Sequence, residues 1–150
     1  MNVTSIESDK NWLAYLKSWN LIQHNLDTKR LCFNHVDIGK VGDWGVPLEL
    51  DKRESFPNYS LDIFKQRNDF SIVFIDGRFR IACILASIMH CKPNTRIFVH
   101  DFNNRPQYHK VLAFLEFVDT CDTLAEFKIK DKIDRLALFA MYEEFKYDYE

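Results

Sequence analysis

The feature that most constrains this sequence is a strand-helix-strand unit near its middle. Two apolar segments typical of strands, residues 72–75 and 96–99, flank an apolar segment typical of a buried helix, residues 79–90. The first strand ends at Asp76 and the second at His100. The carboxyl ends of parallel strands form one edge of an open α/β sheet, and ligands bind at that edge. The pattern therefore predicts a ligand-binding βαβ unit.

Composition favours a folded protein with a large core. The chain has 150 residues, of which 47% are hydrophobic, and its formal net charge is −2. This length predicts a single domain over residues 1–150, because that is an ordinary domain size. The mixed charges predict no nucleic-acid partner and no anionic membrane surface as the main partner.

The cysteines and the apolar runs bear on location. None of the four cysteines forms a CxxC pair, so free thiols in a reducing cytoplasm are expected. Residues 1–9 lack the basic and apolar regions of a signal peptide. The longest apolar run, residues 81–89, is far shorter than the ~20 residues that a membrane-spanning helix needs. A cytoplasmic protein without a membrane span is predicted.

The order of elements predicts an α/β fold. Helical spacing places Trp12, Tyr15, Leu16 and Trp19 on one apolar face of a first helix. Alternating strands and helices predict a mostly parallel sheet with helices on both faces. The predicted strands cover residues 3–6, 31–36, 71–75, 96–99 and 124–130, and later helices cover residues 61–67, 79–90, 106–117 and 133–145.

Acidic residues stand at the predicted carboxyl ends of the strands. Glu7, Asp37 and Asp76 each follow an apolar segment, and His100-Asp101 follows another. Carboxylates at this edge can accept hydrogen bonds from ribose hydroxyls or from an adenine amino group. The alternative is that these acids cap helices, which applies most directly to Glu7 because Ser8 and Asp9 follow it.

Several of these segments resemble class I S-adenosylmethionine-dependent methyltransferases, which have a Rossmann-like fold. The resemblance lies in Thr4–Trp12, in His35-Val36-Asp37, in Ile-Asp-Gly-Arg-Phe-Arg at 75–80, and in His-Asp-Phe-x-x-Arg-Pro-x-Tyr-His at 100–109. It covers nearly the whole chain and implies S-adenosylmethionine as the cofactor. It implies that Glu7 holds the ribose hydroxyls, that Asp37 faces the adenine, and that Asp76 lies beside the site of methyl transfer and also contacts the cofactor.

The chain departs from this family at one point. The family has a first strand and a glycine-rich turn that cradles the methionine part of the cofactor, whereas the first glycine here is Gly39. The resemblance therefore implies a partial, N-terminally truncated domain. The missing strand would lie between the strands that end at Glu7 and Asp76. Since unpaired buried backbone groups are costly, we expect either direct pairing across this gap or dependence on another chain, such as a second copy.

Methyl transfer often needs a base that takes a proton from the acceptor. Asp76, His100 and Asp101 are the candidates, and His100 has a suitable intrinsic pKa. His100 could instead be a strand-end residue that bonds to a neighbouring loop. Asp76 and Asp101 could alternatively share a divalent metal such as magnesium, whose preferred ligands are oxygens.

Three arginines, Arg78, Arg80 and Arg105, surround the same predicted edge. Guanidinium groups bind carboxylates and phosphates well, so these residues favour an anionic small-molecule or glycan acceptor. The alternative is that they pair with the neighbouring acids, Asp76 and Asp101. The sequence thus supports a methyltransferase or a remnant of one. The rival hypothesis is a non-catalytic Rossmann-like module that uses the same surface to associate with proteins.

Overall fold

The computed structural model of this chain describes residues 2–150, which form two compact units that divide between Tyr59 and Ser60. Each unit contains its own sheet. The α/β class expected from the sequence is confirmed. The single domain expected from chain length remains a prediction.

The first unit is a parallel strand pair with two helices between the strands. Strand β1 (Val3–Glu7) pairs with β2 (Leu31–His35) from Val3 opposite Leu31 to Glu7 opposite His35. Two helices connect them, whereas the sequence predicted one: α1 (Lys10–Lys17) and α2 (Asn20–Asp27). Short 3₁₀ turns follow at Asp43–Gly45 and Arg53–Ser55, and helix α3 (Phe56–Gln66) then continues into the second unit.

Trp12 and Tyr15 of α1 and Trp19, which follows that helix, contact one another as members of one face would, but the face is exposed instead of part of the core. Leu13 is the buried residue of this helix, whereas Trp12, Tyr15 and Trp19 are each about half exposed. The three rings contact one another, with centroids 5.2 Å apart for Trp12–Tyr15 and 5.7 Å apart for Tyr15–Trp19. The Trp12–Tyr15 pair is tilted and the Tyr15–Trp19 pair is edge-to-face, and such aromatic pairs contribute stability beyond the burial of their area.

The second unit is a four-stranded sheet with helices. Its strands lie in the order β3-β4-β6-β5. The elements are β3 (Ile72–Ile75), α4 (Arg80–His90), β4 (Arg96–Val99), a 3₁₀ segment (Pro106–Ala113), β5 (Leu115–Cys121), β6 (Leu124–Ile129) and α5 (Arg135–Phe145).

The prediction of a mostly parallel sheet needs correction for this unit. Strands β3 and β4 are parallel, but β4–β6 and β5–β6 are antiparallel. The short connection between β5 and β6 permits only a hairpin, which makes that pair antiparallel. The predicted helix over residues 106–117 begins at Pro106 as expected, but it is a 3₁₀ segment that ends at Ala113, and β5 begins at Leu115. Aromatic and β-branched side chains from Phe117 to Thr120 favour the strand.

Only one face of this sheet carries a continuous buried core. Ile75, Ile97, Val99 and Phe127 are almost fully buried on that face. Helix α4 packs against β3 and β4, and α5 packs against α4. On the other face, Ile72 and Phe74 remain 38% and 59% exposed, and Arg96 is exposed as well.

The strands of residues 2–150 form two separate sheets, with β1 bonded to β2 and β3 bonded to β4. Within the same residues, no helix is long and apolar enough to cross a membrane.

Candidate functional site

Five of the predicted site residues meet at the carboxyl ends of β3 and β4. Asp76 directly follows β3, and His100 and Asp101 directly follow β4. Arg80 is the first residue of α4, and Arg105 immediately precedes the 3₁₀ segment. Parallel pairing of β3 with β4 brings these side chains to one edge of the sheet, as the sequence predicted.

The buried guanidinium of Arg80 links the carboxyl ends of β3 and β4 through hydrogen bonds. Its guanidinium donates to three backbone carbonyls: Nε to Gly77 (2.9 Å), Nη1 to His100 (2.7 Å) and Nη2 to Asp76 (3.4 Å). Its side chain is only 10% exposed. Most donors of Arg80 are thus directed at the protein itself, so this residue positions the edge and is poorly placed to bind an acceptor.

Asp101 is held between two arginines. Its Oδ2 atom lies 3.3 Å from Nη1 of Arg80 and 3.3 Å from Nη2 of Arg105. Burial tends to raise the pKa of Asp101. The hydrogen bond from Arg80 and the charges of His100, Arg80 and Arg105 outweigh that effect, so the pKa lies below its ordinary value. Asp101 is therefore a carboxylate at neutral pH.

His100 lies between two carboxylates. Its Nδ1 atom is 3.0 Å from Oδ1 of Asp76 and 3.4 Å from Oδ1 of Asp101. Nδ1 is buried, and neither approach has the angle of a good hydrogen bond within residues 2–150. The imidazole as a whole is 42% exposed, so it can meet a ligand from solvent. Two carboxylates beside one exposed imidazole form an arrangement that can accept a proton and stabilise the resulting positive charge.

Two non-glycine residues at this edge have left-handed backbone. Phe79 has a φ of 55° and Asp101 a φ of 58°. The conformation is uncommon for aspartate and costly for a bulky residue such as phenylalanine. Phe79 is fully buried immediately before α4, so its surroundings fix it there. Strained backbone of this kind concentrates at functional sites.

Tyr108 and Arg78 complete the surroundings of the cluster. The Tyr108 ring is fully buried, and the guanidinium of Arg80 lies 5.8 Å from its centroid. The Tyr108 hydroxyl is 3.4 Å from Nη1 of Arg105 and 3.4 Å from the carbonyl oxygen of Glu150. Arg78 is half-buried in the turn after β3. The role of the last residue, Glu150, had no signal in the sequence, because a charged tail usually predicts solvent exposure.

The other two predicted residues lie in the first unit. Oε1 of Glu7 accepts hydrogen bonds from the backbone N–H groups of Ser8 (2.7 Å) and Asp9 (3.0 Å). Asp9 in turn accepts from the first N–H groups of α1 and is the true cap of that helix. Glu7 therefore stabilises the turn that leads into the helix.

Asp37 is engaged with its own neighbours. Its Oδ2 atom lies 2.6 Å from Nζ of Lys52, and its Oδ1 atom accepts from the N–H of Gly39 at 3.0 Å. The hydrogen bond from Lys52 is the main reason why the pKa of Asp37 is lowered. Both carboxylate oxygens of Asp37 therefore already have partners.

Neither the potential metal-ligating side chains nor the surface depression of residues 2–150 indicates a further binding site. Within residues 2–150, no group of three or more histidine, cysteine, aspartate or glutamate side chains is arranged to hold a metal ion. One open depression of about 480 Å³ lies in the first unit, and no predicted site residue lines it. Its lining residues are Lys17, Leu26, Lys29, Leu31, Cys32 and Phe33.

Comparison with solved structures gives one informative likeness. The chain is similar to the crystal structure of a methyltransferase-like protein from Silicibacter pomeroyi DSS-3, with a TM-score of 0.85 and 27% sequence identity. The similarity covers 98% of this chain and 77% of that protein. No protein-family model matches the sequence, and no curated protein matches it. The fold of this chain is therefore methyltransferase-like.

Proposed function

We propose that this chain is an S-adenosylmethionine-dependent methyltransferase, or a remnant of one, whose acceptor binds at the carboxyl ends of β3 and β4. The observation that carries the proposal is the position of His100 between Asp76 and Asp101, on a fold similar to that of a methyltransferase-like protein. The exposure of the imidazole and the left-handed backbone on either side support a ligand at this edge.

The residues of the first unit fit one end of the cofactor. Backbone N–H groups hold Oε1 of Glu7, which fixes the carboxylate at the carboxyl end of β1 and leaves Oε2 to accept from ribose hydroxyls. Asp37 fits the adenine end less well, because Lys52 and Gly39 already occupy its oxygens. When bound, the cofactor supplies an electrophilic methyl group. In this proposal Glu7 holds the cofactor, and the acceptor binds beside Asp76.

The second unit supplies the acid–base chemistry. In this proposal His100 accepts the proton of the acceptor hydroxyl at Nε2, and the carboxylates of Asp76 and Asp101 stabilise the imidazolium that forms. Arg80 keeps the two strand ends in place. Arg78 and Arg105, which are more accessible than Arg80, orient an anionic small molecule or glycan.

The free state of all four cysteines supports a reducing, cytoplasmic location.

Calorimetric titration with S-adenosylmethionine tests the proposal through Glu7. Glu7→Gln keeps an oxygen that can accept from Ser8 and Asp9 but removes the charge that ribose hydroxyls would meet. A hydrogen bond to a charged group contributes about 1.5–3 kcal/mol, so we expect the affinity to fall roughly 10- to 100-fold.

The matched control is Asp134→Ala, which removes an acid that caps α5 through two N–H groups and lies outside the proposed site. We expect this variant to bind the cofactor like the wild type. Absence of binding by the folded wild-type chain at millimolar cofactor would contradict the proposal and favour the non-catalytic module. Equal loss of affinity in both variants would also count against a role for Glu7.

A further inference from the structure

Residues 40–48, which follow β2, form a tight hairpin, here called the 40–48 hairpin. The N–H of Leu48 donates to the carbonyl oxygen of Lys40 at 2.9 Å, which closes the base of the hairpin. Nearer the tip, the N–H of Gly42 donates to the carbonyl oxygen of Val46 at 2.8 Å. These hydrogen bonds give the segment a defined shape, so the residues at its tip have a defined position.

The 40–48 hairpin is anchored at the carboxyl end of β2. Asp37 precedes the hairpin and forms an ion pair with Lys52, which follows it, with Nζ 2.6 Å from Oδ2. Strands β1 and β2 are parallel, so Glu7, which ends β1, lies at the sheet edge where the hairpin begins. All of these contacts lie within the first unit.

Trp44, at the tip of the 40–48 hairpin, is both exposed and strained. It is 89% exposed, so burial in the folded chain contributes little to keeping a large aromatic ring at this position. Its backbone is left-handed, with a φ of 59° and a ψ of 21°, which is costly for a bulky residue. Backbone strain of this kind concentrates at ligand sites. Exposure and strain together indicate that the indole serves binding and not the packing of the unit.

The base of the cofactor still needs a partner in the first unit. In the proposed function Glu7 binds the ribose, and the adenine ring is bonded directly to that ribose, so the ring lies at the same sheet edge. Both carboxylate oxygens of Asp37 already accept hydrogen bonds, from Nζ of Lys52 and from the N–H of Gly39. What this edge does offer is the flat apolar face of an indole. Aromatic side chains stack well on bases, and the strength of stacking depends little on which base it is.

We propose that Trp44 stacks on the adenine ring of the cofactor, so that this chain holds the base by its face and not by its edge. The inference rests on the proposed binding of the ribose by Glu7. It predicts tolerance of a changed base, because hypoxanthine presents the same kind of face as adenine. A site in which Asp37 accepted from the adenine amino group would instead reject hypoxanthine, which carries a carbonyl oxygen at that position.

Calorimetric titration of the full chain with S-adenosylhomocysteine and with S-inosylhomocysteine tests the inference. We expect the wild type to bind both ligands with similar affinity. Trp44→Leu keeps an apolar side chain but removes the aromatic face, so the affinity for both ligands should fall roughly 10- to 100-fold. Trp44→Phe keeps an aromatic face and should lose far less affinity. The matched control, Trp19→Leu, replaces a tryptophan that is 52% exposed and should bind both ligands like the wild type.

Tryptophan fluorescence provides a readout at Trp44 itself. The chain contains three tryptophans, so Trp12→Phe combined with Trp19→Phe leaves Trp44 as the one that emits. We expect S-adenosylhomocysteine to quench this emission saturably, with the dissociation constant that calorimetry gives.

Failure of stacking and failure of the proposed function give different results. If calorimetry shows binding but Trp44→Leu retains the wild-type affinity, stacking by Trp44 is overturned and the proposed function stands. Rejection of S-inosylhomocysteine by a wild type that binds S-adenosylhomocysteine overturns the inference equally. If neither ligand binds the folded wild type at millimolar concentration, the inference and the proposed function both fail.

Discussion

At the scale of single residues, Arg80 shows how a binding arginine and a structural arginine differ. The sequence left both readings of this residue open. The structure directs the guanidinium to three backbone carbonyls and to Asp101, with 10% of the side chain exposed. Arg105 also contacts Asp101 but is 37% exposed. Arg80 therefore holds the edge together, whereas Arg105 remains accessible to a ligand.

Because Arg80 is more buried than Arg105, we expect replacement by alanine to lower stability more at Arg80 than at Arg105. Arg80→Ala leaves several carbonyls and the Asp101 carboxylate without a buried donor, so we expect the free energy of unfolding to fall by about 3–5 kcal/mol. Arg105→Ala removes a more exposed contact and should cost roughly 1 kcal/mol or less. Urea unfolding monitored by circular dichroism measures both. Equal effects of the two substitutions would show that Arg80 does not have this structural role.

At the scale of elements, the sequence predicted those parts whose pattern is local and continuous. The apolar runs of β3, α4 and β4 led directly to the observed βαβ unit. Strand β5 was missed because six of its seven residues are exposed, so it lacks the alternation that normally reveals a strand. Its bulge between Phe117 and Asp119 also breaks the regular register of its pairing with β6. The pairing of Arg80 with Asp101 was one of the alternatives that the sequence left open. Its bond to the His100 carbonyl could not be predicted, because that contact joins residues distant in sequence.

A buried hydroxyl pair links helices α3 and α5 and predicts a response of stability to high pH. The Tyr142 hydroxyl lies 3.0 Å from the Ser60 hydroxyl, and burial raises the pKa of Tyr142 to about 12. A phenol whose pKa is higher in the folded state favours folding below its unfolded pKa of about 10, and this contribution is lost as pH rises towards 12.

We therefore expect the stability of the wild-type chain to fall more steeply between pH 10 and about 12 than that of Tyr142→Phe, which has no phenol to ionise. Chemical denaturation across this pH range measures both slopes. The same substitution at Tyr15, whose ring is half exposed, is the control and should leave the wild-type slope unchanged. Parallel slopes for wild type and Tyr142→Phe would contradict the effect of burial on Tyr142.

At the scale of the whole molecule, the reactivity of the four cysteine thiols shows which of them the fold buries. Burial raises the pKa of Cys83 to about 12 and that of Cys91 to about 11, whereas Cys32 and Cys121 are exposed. Thiolates are the reactive species, so Cys83 and Cys91 should be inert in the native protein. A colorimetric thiol assay at pH 8 should detect two fast thiols in the native chain and four in denaturant. Three or more fast thiols in the native chain would contradict this burial.

The fold of this chain is methyltransferase-like, and the proposed function requires that S-adenosylmethionine, or its demethylated product, binds through Glu7. Glu7 accepts from the N–H groups of Ser8 and Asp9, so those two signals report directly on the carboxylate. Asp134 accepts in the same way from Leu136 and Ala137, which provide an internal control.

The most direct test is a ¹H–¹⁵N NMR titration of the full chain with S-adenosylhomocysteine. We expect saturable shifts of the Ser8 and Asp9 amide signals, with the Leu136 and Ala137 signals unchanged. A spectrum in which the Ser8 and Asp9 signals stay fixed at millimolar ligand would contradict binding through Glu7.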